Sequence, residues 1–147
     1  MRLLQNLKLV RPIIEFANAG KKIIGICLGM QILSTKGTEP NETFGLNLIP
    51  GDVIKIPNSI KHPIPHVGWN NIVNCQEQYK SFLLELDFYF IHSFHYIPEN
   101  KEHILCSTEY GENIVAAIKK NNIYGFQFHP EKSQTDGLNL LKKILDA

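Results

Sequence analysis

Cysteine is scarce in this chain: only Cys27, Cys75 and Cys106 occur, with no CxxC pair and an odd number overall. That excludes a disulfide framework, fits a reduced cytoplasm, and leaves room for a reactive thiol. Long apolar runs are also missing. Stretches such as Ile23 to Leu28 and Phe88 to Ile91 are far too short to cross a bilayer, so a soluble protein is expected. The N-terminus, MRLLQNLKLVRP, has basic residues but neither an uninterrupted apolar core nor a small-residue cleavage site, which argues against a signal peptide. Charge of one sign does not accumulate either. The formal net charge of +1 arises from scattered Lys and Glu, without the basic stripe that a phosphate backbone requires. What is present, 44% apolar and 20% charged residues in 147, suits a single folded domain with its own core.

Leu3, Leu4 and Leu7 are spaced for one helical face, and Pro12 can open a second helix through Ala17 that stops at Gly20. Lys22 to Ile26 is a short β-branched run of the buried parallel-strand kind, followed at once by Cys27 and by helix formers from Leu28 to Leu33. Thr35 to Asn47 reads as a surface loop. Further strands are expected at Leu48 to Ile56, Val67 to Val73, Asp87 to Ser93, His103 to Thr108, Ile114 to Lys119 and Ile123 to His129. Asn121-Asn122 makes a tight turn between the last two. A closing helix from Thr135 or Asp136 carries Leu138, Leu140, Leu141, Ile144 and Leu145 on its apolar side.

Gly25-Ile26-Cys27-Leu28-Gly29 has the G-x-nucleophile-x-G form of a nucleophile elbow and lies between a predicted strand and a predicted helix, as that motif requires. The glycines are expected to relieve crowding, and the helix N-terminus to favour the thiolate. An inert core cysteine is the commoner fate of this residue type, and Cys75 and Cys106 are assigned to it. The partner base is expected in Gln127-Phe128-His129-Pro130-Glu131-Lys132-Ser133. There, extended backbone would put His129 and Glu131 on one side, letting the carboxylate orient the imidazole. His62, His66, His92, His95 and His103 are assigned loop or structural roles. Pro63 and Pro65 break any helix joining the first two, no third ligand follows the HxxH at His92 and His95, and no metal is expected.

Together, Gly25 to Gln31 and Gln127 to Ser133 resemble the class I, triad-type glutamine amidotransferases. Leu46-Asn47-Leu48-Ile49-Pro50-Gly51, Pro65-His66-Val67-Gly68-Trp69-Asn70 and Phe88 to Phe94 narrow the likeness to the glutaminase subunits of imidazole glycerol phosphate synthases, over essentially the whole chain. The resemblance implies a flavodoxin-like, three-layer α/β fold with a mixed, largely parallel sheet in one domain, residues 1–147. It implies a Cys27, His129, Glu131 triad, with Leu28 N–H in the oxyanion hole. Gly29, Gln31, His92, Ser93 and Phe94 would lie around glutamine, and no cofactor is implied. The implied partner is a (β/α)₈ barrel, HisF-like cyclase subunit, in a heterodimer that uses the released ammonia for imidazole glycerol phosphate in histidine biosynthesis. Trp69 and Lys132 match positions facing it, with core packing the alternative for Trp69.

Family members carry further strand–helix units before the position matching Met1, including a Pro-Gly-Val-Gly type loop with the second oxyanion donor. This chain lacks them, so an N-terminally truncated fold is expected, from a fragment or a mis-set start. Three other functions stay open: a paralogue supplying ammonia for an amidino-sugar of a surface polysaccharide, a catalytically impaired partner-binding module, and a thiol hydrolase. Gln31 and the His92-Ser93-Phe94 segment disfavour the last.

Overall fold

A computed structural model describes residues 1–59 and 61–146. Helices α1 (Arg2–Asn6) and α2 (Val10–Asn18) come first. Pro12 sits in the first turn of α2, where backbone N–H groups lack helical partners in any case, and Gly20 just past its end takes φ 73°. Strand β1 (Ile23–Ile26) then runs into Cys27 and the single turn of α3 (Leu28–Gln31). Strands β2 (Lys36–Gly37), β3 (Thr43–Phe44), β4 (Gly51–Lys55), β5 (His66–Asn71) and β6 (Asn74–Cys75) follow, and after helix α4 (Lys80–Leu83) come β7 (Asp87–His92) and β8 (Phe94–Pro98). The chain closes with β9 (Ile104–Glu109), β10 (Asn113–Lys120), β11 (Ile123–Phe126) and α5 (Gln134–Asp146).

The principal sheet has the order β1-β11-β10-β9-β6; a second runs β3-β2-β4-β8, and β5 and β7 form a two-stranded ribbon. Alternation along the principal sheet feeds two apolar clusters. Phe126 and Ala116 face one way, toward Phe88, Phe90, Phe128 and α5 residues Leu140 and Ile144. Ile118 and Ile123 face the other, toward Ala17, Met30 and Leu33. Helices therefore cover both faces, giving the expected three layers.

The sheets are mixed, but the expected largely parallel character is corrected. Among the described residues only β1 with β11 and β2 with β4 pair in parallel, while the other six pairings are antiparallel. Short connections account for part of this: two residues separate β10 from β11 and three separate β9 from β10, and parallel pairing needs a crossover of about a dozen. Three local expectations also change. The loop at 35–47 contains the β2–β3 hairpin, strand β8 was not anticipated, and Leu138 and Leu145 of α5 lie exposed while Leu140 and Ile144 are buried. The buried stripe of α5 is thus narrower than its full set of leucines.

Candidate active site

The parallel pairing of β1 and β11 sets Gly25 opposite Gly125 and Ile26 opposite Phe126, and the Cys27 N–H donates to the Phe126 carbonyl at 2.7 Å. Both chains leave the sheet at the same carboxyl end, where sites in α/β sheets gather. Residues a hundred positions apart, Cys27 and Gln127, meet there.

Cys27 holds φ 51° and ψ −108°, a conformation costing roughly 1–3 kcal/mol for a residue with a side chain. Gly25 makes the bend possible. A Cβ at Gly25 would lie 2.4 Å from the Gly29 carbonyl oxygen, inside any tolerable contact. Gly29 does not share this role, because a Cβ there would meet nothing within 4 Å; the crowding falls on the Gly25 side of the turn alone.

The thiol stands 3.7 Å from the Ile91 carbonyl oxygen and 3.7 Å from Gln127 Nε2. Burial pushes its pKa up from the ordinary value. The Leu28 backbone N–H opposes that rise, Glu131 adds to it, Lys132 opposes it, and Glu39 adds to it. The expected thiolate-favouring helix is corrected: α3 is one turn long, too short for an appreciable dipole, and desolvation dominates.

His129 does not end a strand, as its alternation suggested. It precedes a 3-10 turn at Pro130–Lys132, and that turn, rather than extended backbone, brings Glu131 Oε1 to 2.7 Å from His129 Nδ1. A carboxylate only accepts, so Nδ1 carries the proton and Nε2 is left as the acceptor. Nε2 is buried and has no hydrogen-bond partner among the described residues, so thiol and imidazole are not bonded to each other here. The backbone around the ring is held firmly. His129 N donates to Tyr89 O at 2.8 Å, Ser133 Oγ donates to His129 O at 2.7 Å, and Tyr89 N donates to Ser133 Oγ at 3.0 Å.

A cavity of about 320 Å³ opens beside the sulfur, lined by Cys27, Leu28, Gln31, His92, Ser93 and Phe94, with Glu39, Pro65 and Ile91 completing it. Gly29 is absent from this lining. It faces an apolar cleft with Pro12, Phe16 and Ile24 instead, because the turn of α3 carries it to the other side. Glu39 went unnoticed in the sequence because its segment has no periodicity. Gln127 left a signal: it is a polar residue inside an apolar strand pattern, and it is fully buried.

The histidines set aside as loop or structural residues divide. His66, His92 and His95 are buried within strands, and burial pulls His66 and His92 down to about 4. Among the described residues no group of three or more His, Cys, Asp or Glu is disposed to hold a metal ion. Trp69 is 49% exposed, so core packing does not explain it. With Val67 and Ile91, 51% and 42% exposed, and with Tyr89 at 6.1 Å between ring centres, it forms an apolar face on the ribbon next to the cavity. Lys132 is exposed as well.

The family model of glutamine amidotransferase class-I matches residues 5–146. Imidazole glycerol phosphate synthase subunit HisH 1 of Legionella pneumophila (strain Lens) is 41% identical, aligned over 99% of this chain and 74% of its own length. Subunit HisH of Aquifex aeolicus is 43% identical, over 98% and 70%. Among solved structures, a glutamine amidotransferase superimposes with a TM-score of 0.70 at 13% identity, covering 99% of this chain and 70% of its own. Another glutamine amidotransferase, from Thermotoga maritima, gives 0.59 at 17%, covering 98% and 55%. The structural likenesses speak for the fold.

Proposed function

We infer the function from one premise, that the chain belongs to the class I glutamine amidotransferases, among the HisH subunits of imidazole glycerol phosphate synthase. It is an enzyme that hydrolyses glutamine to glutamate and hands the ammonia to a synthase partner. Cys27 Sγ attacks the side-chain amide carbon of glutamine, and the resulting oxyanion takes a hydrogen bond from the Leu28 N–H. His129 Nε2 accepts the thiol proton and returns it to the departing nitrogen as the C–N bond breaks, leaving a thioester and ammonia. Water, deprotonated by the same imidazole, frees glutamate. Glu131 keeps Nδ1 protonated and the ring aimed throughout.

The observation that carries this reading is the unpartnered Nε2 of His129, backed by a carboxylate at 2.7 Å, two residues after Gln127, whose amide reaches the sulfur of a strained cysteine beside a cavity of amino-acid size. Gln31 and Ser93 line that cavity and are assigned to the bound glutamine. The apolar face of Val67, Trp69, Tyr89 and Ile91, with Lys132, is assigned to a HisF-like barrel subunit in the cytoplasm, because desolvated aromatic anchors are what such contacts use. Among the described residues no helix is long and apolar enough to cross a membrane.

The test is co-purification with a barrel partner followed by an ammonia-release assay. Cys27→Ala is expected to retain complex formation and to lose release; equal release by both proteins would discard the assignment.

A further inference from the structure

A polar chain runs behind the thiol, and one carbonyl sets its direction. The Phe94 carbonyl oxygen can only accept. It faces Gln31 Nε2 at 3.2 Å and His92 Nδ1 at 2.8 Å, so both nitrogens donate to it. In the first arm, Gln31 Nε2 has a second proton, which goes to Gln127 Oε1 at 3.2 Å. That fixes the Gln127 amide with its oxygen toward Gln31 and its NH₂ toward Cys27 Sγ.

The second arm has the same logic. With its Nδ1 protonated, neutral His92 accepts at Nε2 from His66 Nδ1, 3.0 Å away, and His66 Nε2 then accepts from Asn70 Nδ2 at 3.3 Å. Asn70 donates its other proton to the Glu109 carbonyl at 2.9 Å. Each link has a donor matched to an acceptor, and reversing any of them would put two donors or two acceptors face to face. Stacking of His66 on Phe90 and on Tyr110 holds the far end in place.

The geometry points to Gln127 as a positioning residue for the Cys27 sulfur: its amide, locked in orientation through Gln31 and the Phe94 carbonyl, presents an N–H to the sulfur and favours the thiolate. This rests on Cys27 being the nucleophile. A second neighbour, the Ile91 carbonyl, suits only the protonated thiol, whose S–H can donate to it; once the proton leaves, it faces the charge with a partial negative, and the Leu28 backbone N–H stands with Gln127 on the thiolate's side. Gln127 bonds the charged form more strongly than the neutral one, since hydrogen bonds to ionised acceptors are the stronger kind. Burial raises the thiol's pKa, so a donor of this kind acts against the dominant influence. Gln127 is itself fully buried behind the lining residues Cys27 and Gln31 and does not line the cavity, which separates its role from substrate binding.

The experiment is the pH profile of Cys27 alkylation by iodoacetamide on the full chain, read by peptide-resolved mass spectrometry, with Cys75 as the internal reference. Gln127→Met keeps the length and removes the donor. The midpoint for Cys27 is expected to rise by about one unit, making alkylation about tenfold slower at pH values below both midpoints, while the high-pH plateau and the Cys75 profile stay put. Gln127→Glu, which turns an oxygen toward the sulfur, is expected to move the midpoint further in the same direction. A Cys27 midpoint unchanged in both variants overturns the proposal, as does a Cys75 profile that moves equally. If Gln127→Met does not fold, Gln31→Met decides: freeing the Gln127 amide to turn is expected to give a smaller rise, and no rise overturns the proposal. Ammonia release by Cys27→Ala is independent of these profiles. Its loss beside unmoved midpoints would reject only the role of Gln127, and its persistence would reject the nucleophile.

Discussion

His66 is an unusual residue to bury, since its ring takes polar partners at both nitrogens yet sits 2% exposed between two aromatic rings. Burial holds it near 4 rather than at its ordinary 6.5. His92 is lowered to a similar value by burial first, against the Phe94 carbonyl and with help from His66, His95 and His129. Both rings are thus neutral in the fold where an unfolded chain would protonate them. Between pH 6.5 and 4 the unfolded state binds more protons, so stability is fully present above that window and falls as pH drops through it. His66→Phe keeps the stacked shape and removes one of these groups. The slope of unfolding free energy against pH, from urea titrations across the window, is expected to fall by about 1.4 kcal/mol per pH unit, one proton's worth. An unchanged slope would mean His66 titrates normally in the fold.

The ribbon of β5 and β7 does two jobs because strands alternate. Its inward residues, His66, Phe90 and His92, join the buried polar chain and the aromatic cluster, while Val67, Trp69, Tyr89 and Ile91 stand outward beside the cavity. Trp69→Ala or Val67→Asp is expected to weaken binding of the proposed barrel partner by about 2 kcal/mol, roughly thirtyfold, with Cys27 alkylation unchanged. Calorimetry that finds wild-type affinity would move the docking surface elsewhere. Elements with strong local signals were readable in the sequence: the Ile23 to Ile26 run before Cys27, the Gly20 stop, and the Asn121-Asn122 turn. The β2–β3 hairpin was not, since two-residue strands have no periodicity to detect. Strand β8 carries Pro98 at its end and follows β7 after one residue, so the two read as one run and a loop. The His66–His92 pair was equally hidden. Strand pairing is a tertiary fact, and a spacing of 26 residues says nothing about it.

At the scale of the whole molecule, three layers place the carboxyl ends of β1 and β11 side by side, and the candidate site grows from that junction. Its outline was legible because a glycine-flanked cysteine after a strand and a His-Pro-Glu turn after another are local patterns with a mechanical reason. What held the parts in orientation was not legible. Gln127, the Phe94 carbonyl and the one-sided role of Gly25 depend on approaches that only the folded chain defines. The central claim is that Cys27 attacks glutamine. The measurement that bears on it most directly is peptide mapping of the chain, assembled with the proposed barrel partner, after exposure to an electrophilic glutamine analogue. A single adduct is expected on the Cys27 peptide, suppressed by excess glutamine and slowed by about 10²–10⁴ in His129→Ala. Labelling of Cys75 in its place, or a Cys27 peptide left unmodified, would contradict it.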